Sequence, residues 1–166
     1  MDWKNTRAAL EAYGEELVNS LQDILIDKDH INHGTLFNTM KYEVRTSDEE
    51  ISLWLWTEDY FKYLERGIEP AGDYKNPGWK AYPFIRQWII DKPVTPYKDS
   101  KGRLPSVDSL AFLITRKRVQ EGAEPEEMLS TLVKDMNDKY EPIIEEAISE
   151  DIGDEVANIL IQTELW

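Results

Sequence analysis

The first periodic pattern of the chain runs from residue 6 to residue 27. Leu10, Tyr13, Leu17, Leu21 and Ile24 recur at spacings of three and four, and Val18 and Leu25 widen the stripe. That period predicts an amphipathic helix, with Thr6 placed to cap its start. Gly14 lies inside it, a cost of about 1 kcal/mol relative to alanine. "DKDHINHG", Asp27 to Gly34, breaks the pattern. From 39 to 57 the period changes to two. Met40, Tyr42 and Val44 alternate with Lys41, Glu43 and Arg45; "TSDE" supplies turn chemistry; Ile51, Leu53 and Leu55 then alternate with Ser52, Trp54 and Trp56. The pattern predicts an antiparallel hairpin. Its second strand is apolar on both faces near its end, so it is either covered twice or presents Trp54 and Trp56 to a partner. A third strand would be needed to make such a sheet stable by itself, and residues 34 to 38 are the nearest candidate.

The second half of the chain reads as helices separated by long loops. Residues 58 to 66 form a short helix with Tyr60, Phe61 and Leu64 on one side and Gly67 at the position of a C-terminal cap. A helix from about 83 to 92 starts at Pro83, with Phe84, Ile85, Trp88 and Ile89 as its apolar stripe. Between these helices lies "GIEPAGDYKNPGWKAYP", and after them "PVTPYKDSKGRLP". Loops of this length in a small protein are usually functional or ordered by a partner. Ser106 caps the next helix, 106 to 121, whose Val107, Leu110, Ala111 and Ile114 face the core and which Gly122 ends. Pro125 restarts a helix within an acidic first turn, and Met128, Leu129, Leu132, Val133 and Met136 form its stripe. Pro142 kinks or interrupts it, after which Ile143, Ile144, Ala147, Ile148, Ile152, Val156, Ile159 and Leu160 continue the pattern. The expected fold is therefore α+β in a single domain, residues 1 to 166. An N-terminal helix and a small antiparallel sheet precede several helices, the last being an acidic helical segment from 123 to 166.

Composition narrows the function classes. With 166 residues, 41% apolar and 31% charged, the chain is long enough for one core and not disordered in type. It has no cysteine, which excludes disulfides and thiol chemistry. Without an apolar run of about 18 residues no membrane span is expected, and the segment Met1 to Arg7 lacks the apolar core of a signal peptide. The net charge of −14 is one-sided: residues 121 to 166 hold 14 acidic and 2 basic residues, whereas the first 120 hold 19 and 17. An acidic surface of this kind repels nucleic acid and anionic membrane, and suits either solubility or a basic neighbouring subunit.

Catalytic patterns are weak. Asp27, Asp29, His30 and His33 are the best metal candidates, but polar residues at the end of a helix need no metal to explain them. The paired carboxylates Glu49-Glu50, Glu58-Asp59, Glu145-Glu146 and Glu150-Asp151 read as exposed surface. There is no phosphate-binding glycine loop and no serine elbow. Arg116, Lys117 and Arg118 are too short a basic run for nucleic-acid recognition and suit a helix C-terminus. The expectation is a non-enzyme without cofactor or metal. What remains is surface, because loop aromatics such as Tyr74, Trp79, Tyr82 and Tyr97, with Trp166 at the terminus, are the residue types that anchor interfaces.

The order of three motifs sharpens this. Tyr60, Tyr63, Leu64, Glu65 and Gly67 come first; Pro83, Ile85, Trp88, Ile89 and Lys92 follow; Ala111, Phe112, Ile114, Arg116, Lys117 and Gly122 are third. Together, over residues 58 to 122, they resemble the tail-completion (head–tail joining) family of tailed bacteriophages. Many relatives continue with a Pro-Phe-Leu/Met-Arg-Pro segment where this chain reads "AEPEEMLSTLV", so a neck or tail-hub ring protein, as of the crAss-like phages, fits the resemblance equally. The resemblance implies a structural virion protein and head–tail connector, assembled in the host cytoplasm into the neck or tail. It would be a homo-oligomeric ring of six or twelve copies between portal-side neck and tail-tube proteins, with DNA passing through it unread. Such rings need one patch of a subunit to meet a different patch on the next. The residues expected at that interface are Tyr63, Glu65, Arg66, Tyr74, Trp79, Tyr97, Arg116, Lys117, Arg118 and Trp166. The alternative reading is a monomeric protein-binding adaptor module without catalytic activity.

Overall fold

The computed structural model describes residues 2–30, 34–47, 49–70, 81–92, 96, 98 and 102–164. The element order is α1 (Lys4–Asp27), α2 (Thr35–Thr39), β1 (Lys41–Thr46), β2 (Ile51–Trp56), α3 (Phe61–Arg66), α4 (Tyr82–Asp91), α5 (Val107–Glu121) and α6 (Met128–Glu164). The fold is α+β, with the N-terminal helix, the two-stranded antiparallel hairpin and the C-terminal helices that the periodicities predict. The chain is arranged in two compact units. One holds Met1–Asp59 with Met128–Trp166, the other Tyr60–Glu127.

The first unit is built on α1. Thr6, Ala9, Tyr13, Leu17, Leu21 and Leu25 are its buried line, at the three-and-four spacing of one helix face. Antiparallel to it lies α6, whose buried residues Met128, Met136, Tyr140, Ala147 and Asp151 continue the same spacing. Tyr13 and Tyr140 meet edge to face with ring centres 5.1 Å apart, a preferred aromatic geometry. The Tyr13 hydroxyl donates to Asn137 Oδ1 at 3.1 Å, and the Tyr140 hydroxyl to Glu16 at 2.7 Å. Lys139 also reaches Glu16, at 2.6 Å. That ammonium, with the Tyr140 hydroxyl, holds the Glu16 carboxyl below the usual range. The same hydrogen bond to Glu16, then burial, pushes the Tyr140 phenol up to about 12.

The hairpin pairs Lys41 with Trp56 through Thr46 with Ile51. Its inner face packs on α1 where Gly14 leaves room. A Cβ at Gly14 would strike the Tyr42 ring and come 3.0 Å from Leu53 Cδ1. The helix glycine that looks weak in isolation is thus the contact point of helix and sheet. No third strand is present among the described residues. Residues 35 to 38 of the expected candidate instead lie in α2, which follows Gly34 in the left-handed region and buries Leu36. It is α1, packed on one face of the hairpin, that gives the sheet the support a third strand would have given.

Three further expectations are corrected. Thr6 is not the N-cap of α1, because the helix begins two residues earlier, after Trp3, and carries Thr6 inside it. Pro125 does not start a helix. Residues 124–127 run outside helix, with Glu126 N–H donating to Leu64 O at 2.8 Å and Glu127 N–H to Glu65 O at 3.3 Å, and α6 begins at Met128. Of a kink or an interruption at Pro142, the interruption is excluded, because α6 runs through it for 37 residues. Pro142 and Asp138, whose carbonyl loses its helical donor, are both exposed, so water can take that carbonyl, while Tyr140 and Ala147 anchor the helix on either side of Pro142.

In the second unit α4 packs on α5. Ile89 of α4 and Ala111, Thr115 and Val119 of α5 are buried. Ser106 caps α5 as expected, accepting from Ser109 N at 3.1 Å, and Arg86 of α4 meets Asp108 of α5 at 2.6 Å. Val107 and Phe84, expected on core faces, are exposed. Phe61 is buried but Tyr60 is not.

Candidate interaction surfaces

Two glycines organise the region that carries several of the interface residues expected from sequence. Gly67 follows α3 and Gly122 follows α5; their φ/ψ values are 71°/−167° and 77°/−159°. That region is practically restricted to glycine. Beyond them Ile68 and Ala123 form a single antiparallel bridge, with N–H to O distances of 2.8 and 2.9 Å. A Cβ on Gly67 would strike the Ala123 carbonyl, and one on Gly122 would strike the Ile68 carbonyl. The bridge therefore holds the C-terminal ends of α3 and α5 together, with Arg66 in the last turn of one and Arg118 in the last turn of the other. Cations at these ends suit both helix dipoles.

Tyr63 on α3 is exposed, and the Lys62 ammonium lies 5.1 Å from its ring centre. Glu65 is half-buried and Arg66 exposed. On α5, Arg116, Lys117 and Arg118 are all exposed, and Lys117 pairs with Glu121 at 3.6 Å, one turn on. One turn before them, on the same side, Phe112 and Leu113 are also exposed. Tyr74, Trp79, Tyr97 and Trp166 lie outside the described residues, as does His33. Among the described residues no group of three or more His, Asp or Glu could hold a metal ion, and no helix is long and apolar enough to cross a membrane.

The outer face of the hairpin is a second surface. The Trp54 and Trp56 rings stack with centres 6.4 Å apart, and both are exposed. The Arg45 guanidinium sits 4.6 Å from the Trp54 centre and 5.5 Å from that of Trp56, within reach of a cation–π attraction. Glu43 accepts from Arg45 at 2.9 Å and from the Trp56 indole at 3.2 Å. The Arg45 bond keeps the Glu43 carboxyl below its ordinary range, against partial desolvation. The strand is thus not covered on both faces by the described residues, and the indoles face outward.

Asp151 is the site residue that sequence reasoning missed. It was expected among the exposed carboxylates, yet it is 2% exposed. Its oxygens accept the Asn5 N–H at 2.9 Å, the Thr6 N–H at 2.8 Å and the Thr6 hydroxyl at 2.7 Å. The first-turn amides of α1, which have no partner within their helix, are thus capped by a carboxylate of α6. Burial opposes the charge, but the Thr6 and Asn5 bonds outweigh it and hold the Asp151 pKa below its ordinary value. Past this cap, α6 runs on beyond the first turn of α1. There Ile152, Val156, Ile159 and Leu160 are 48%, 49%, 55% and 59% exposed, and a Cβ at Gly153 would meet open space.

Comparison with protein-family models, with curated proteins and with solved structures finds no match to this chain.

Proposed function

We propose that this chain is a structural virion protein of a tailed phage, forming an oligomeric ring in the neck or tail that joins the head, on the portal side, to the tail. The observation behind the reading is the ordered set of motifs from Tyr60 to Gly122, which resembles the tail-completion family in residue type and spacing. The exposed residues fit an assembly role. Aromatic and aliphatic side chains lie in the open on β2, α3, α4, α5 and the end of α6, the residue types that anchor interfaces. Charge is divided as a head-to-tail contact requires: the unit containing α1 and α6 has 23 acidic and 7 basic residues, the other 10 and 12. In this reading the protein acts by shape and surface, without catalysis or cofactor.

The test is mass, in solution and in particles. The purified chain, alone and with portal and tail-tube proteins of the same virion, is examined by native mass spectrometry, and purified particles are examined for the chain itself. A closed oligomer in the presence of these partners, and several copies per particle, are expected. A chain that remains a monomer with every partner, and is missing from particles, is an adaptor module instead.

A further inference from the structure

The end of α6 beyond Asp151 exposes an apolar face. From Tyr140 to the terminus the chain has eight acidic residues and no Lys or Arg. Beyond Asp151 its apolar side chains Ile152, Val156 and Leu160 recur every four residues, so they share one face of a helix that extends for about 20 Å past the cap. A second copy of the same segment is a poor cover for that face, since pairing it with itself would set carboxylates against carboxylates. Its complement is an apolar surface with a basic rim. Residues 60 to 122 are the part of the chain with a basic excess, 12 basic to 7 acidic. Within them α5 places exposed Phe112 and Leu113 one turn ahead of exposed Arg116 and Lys117. The apolar pair and the cations lie on one helix face, as Glu155, one turn from Ile152, borders the apolar stripe of the overhang.

We infer that residues 152–160 of one copy dock on the exposed face of α5 of the next copy, Ile152, Val156 and Leu160 against Phe112 and Leu113, with Glu155 of α6 beside Arg116 and Lys117. The contact is heterologous, so it repeats around a ring or along a filament and does not stop at a dimer. It deepens the ring reading and rests on it for closure, but it makes its own claim about which two surfaces meet.

The experiment uses two full-length double variants. Val156→Asp with Leu160→Asp spoils the donor helix, and Leu113→Asp with Lys117→Glu spoils the acceptor face. All four positions are exposed, so the circular dichroism spectrum of each variant should stay at wild type, which separates lost docking from lost fold. Assembly is followed by sedimentation velocity at low salt. Each variant alone should lose association by about a hundredfold, as two central contacts at an interface would. Mixed together, the two should form one-to-one dimers and stop there, because one intact donor then meets one intact acceptor. A donor variant that assembles like wild type overturns the contact and leaves the ring reading standing. A mixture that stays monomeric overturns the pairing of these two faces. A wild-type chain that is monomeric at millimolar concentration in low salt overturns the contact too, and the copy number in purified particles then decides the ring reading separately.

Discussion

At the scale of single residues, two glycines of the same amino-acid chain carry opposite instructions. Gly14 is buried between α1 and the hairpin, where a Cβ would collide with the Tyr42 ring, whereas Gly153 lies in α6 with open space around it. Alanine favours a helix interior over glycine by about 1 kcal/mol. Gly153→Ala should therefore raise stability by about that much. Gly14→Ala should lower it by about 2 kcal/mol, because overpacking outweighs propensity. Chemical denaturation of the two variants checks both signs, and equal shifts would show that Gly14 is not a contact. Asp151 makes a second prediction. Its folded pKa is depressed below the ordinary value of 3.8, so its contribution to stability is present above that pH and is lost as pH falls through the folded value. Asp151→Ala should cost about 3 kcal/mol at neutral pH, since three donors lose a charged acceptor. Asp151→Asn should flatten the fall in stability on acidification below pH 3.8; an unchanged acid limb would assign that fall to other carboxylates. Neither residue announces its role in the sequence. Gly14 has no side chain to signal a partner, and Asp151 bonds a residue 145 positions away.

At the scale of elements, local signals located the helices and the hairpin, and long-range contacts moved their ends. The periodic stripes in α1, the alternation in β1 and β2, Ser106 and the two cap glycines were legible because each is a relation between residues a few positions apart. The start of α1 was not legible, because its cap comes from α6. The start of α6 was misplaced because Glu126 and Glu127 give their amides to carbonyls of α3, which no acidic first-turn rule anticipates. The spacing of Tyr60, Phe61 and Leu64 predicts one amphipathic helix over 58–66, but only Phe61 of it is buried. For the candidate surfaces, residue type marked the exposed aromatics and cations, while the pairing of α3 with α5 through Ile68 and Ala123 needed three dimensions. That pairing can be tested. Gly67→Ala and Gly122→Ala should each cost about 3 kcal/mol, from a backbone region hostile to a Cβ and a collision with the opposing carbonyl. Since both break one bridge, the double variant should cost clearly less than the two together. Amide exchange at Ile68 and Ala123 reports the bridge directly, and strict additivity would mean that the two glycines act separately.

At the scale of the whole molecule, charge sets stability and association against each other. The α1–α6 unit bears a net −16 and the other unit +2. Repulsion among the 23 acidic groups of the first unit opposes its compact state. Its surface ion pairs, such as Lys139 with Glu16 and Arg45 with Glu43, are exposed and offset little of that. Added salt shortens the reach of all these interactions, to about 10 Å at roughly 0.1 M. Screening like charges within the unit should raise the melting temperature as sodium chloride is increased. Screening opposite charges between copies should weaken the contact of the α6 end with Arg116 and Lys117 over the same series. Thermal melts and sedimentation, run on one set of samples, should thus show slopes of opposite sign. If association instead strengthens with salt, the contact between copies is apolar and the acidic flanks of α6 serve solubility. If the melting temperature falls, the ion pairs outweigh the net charge. The opposed slopes follow only when one end of the chain is too acidic to meet itself and another part is basic enough to receive it.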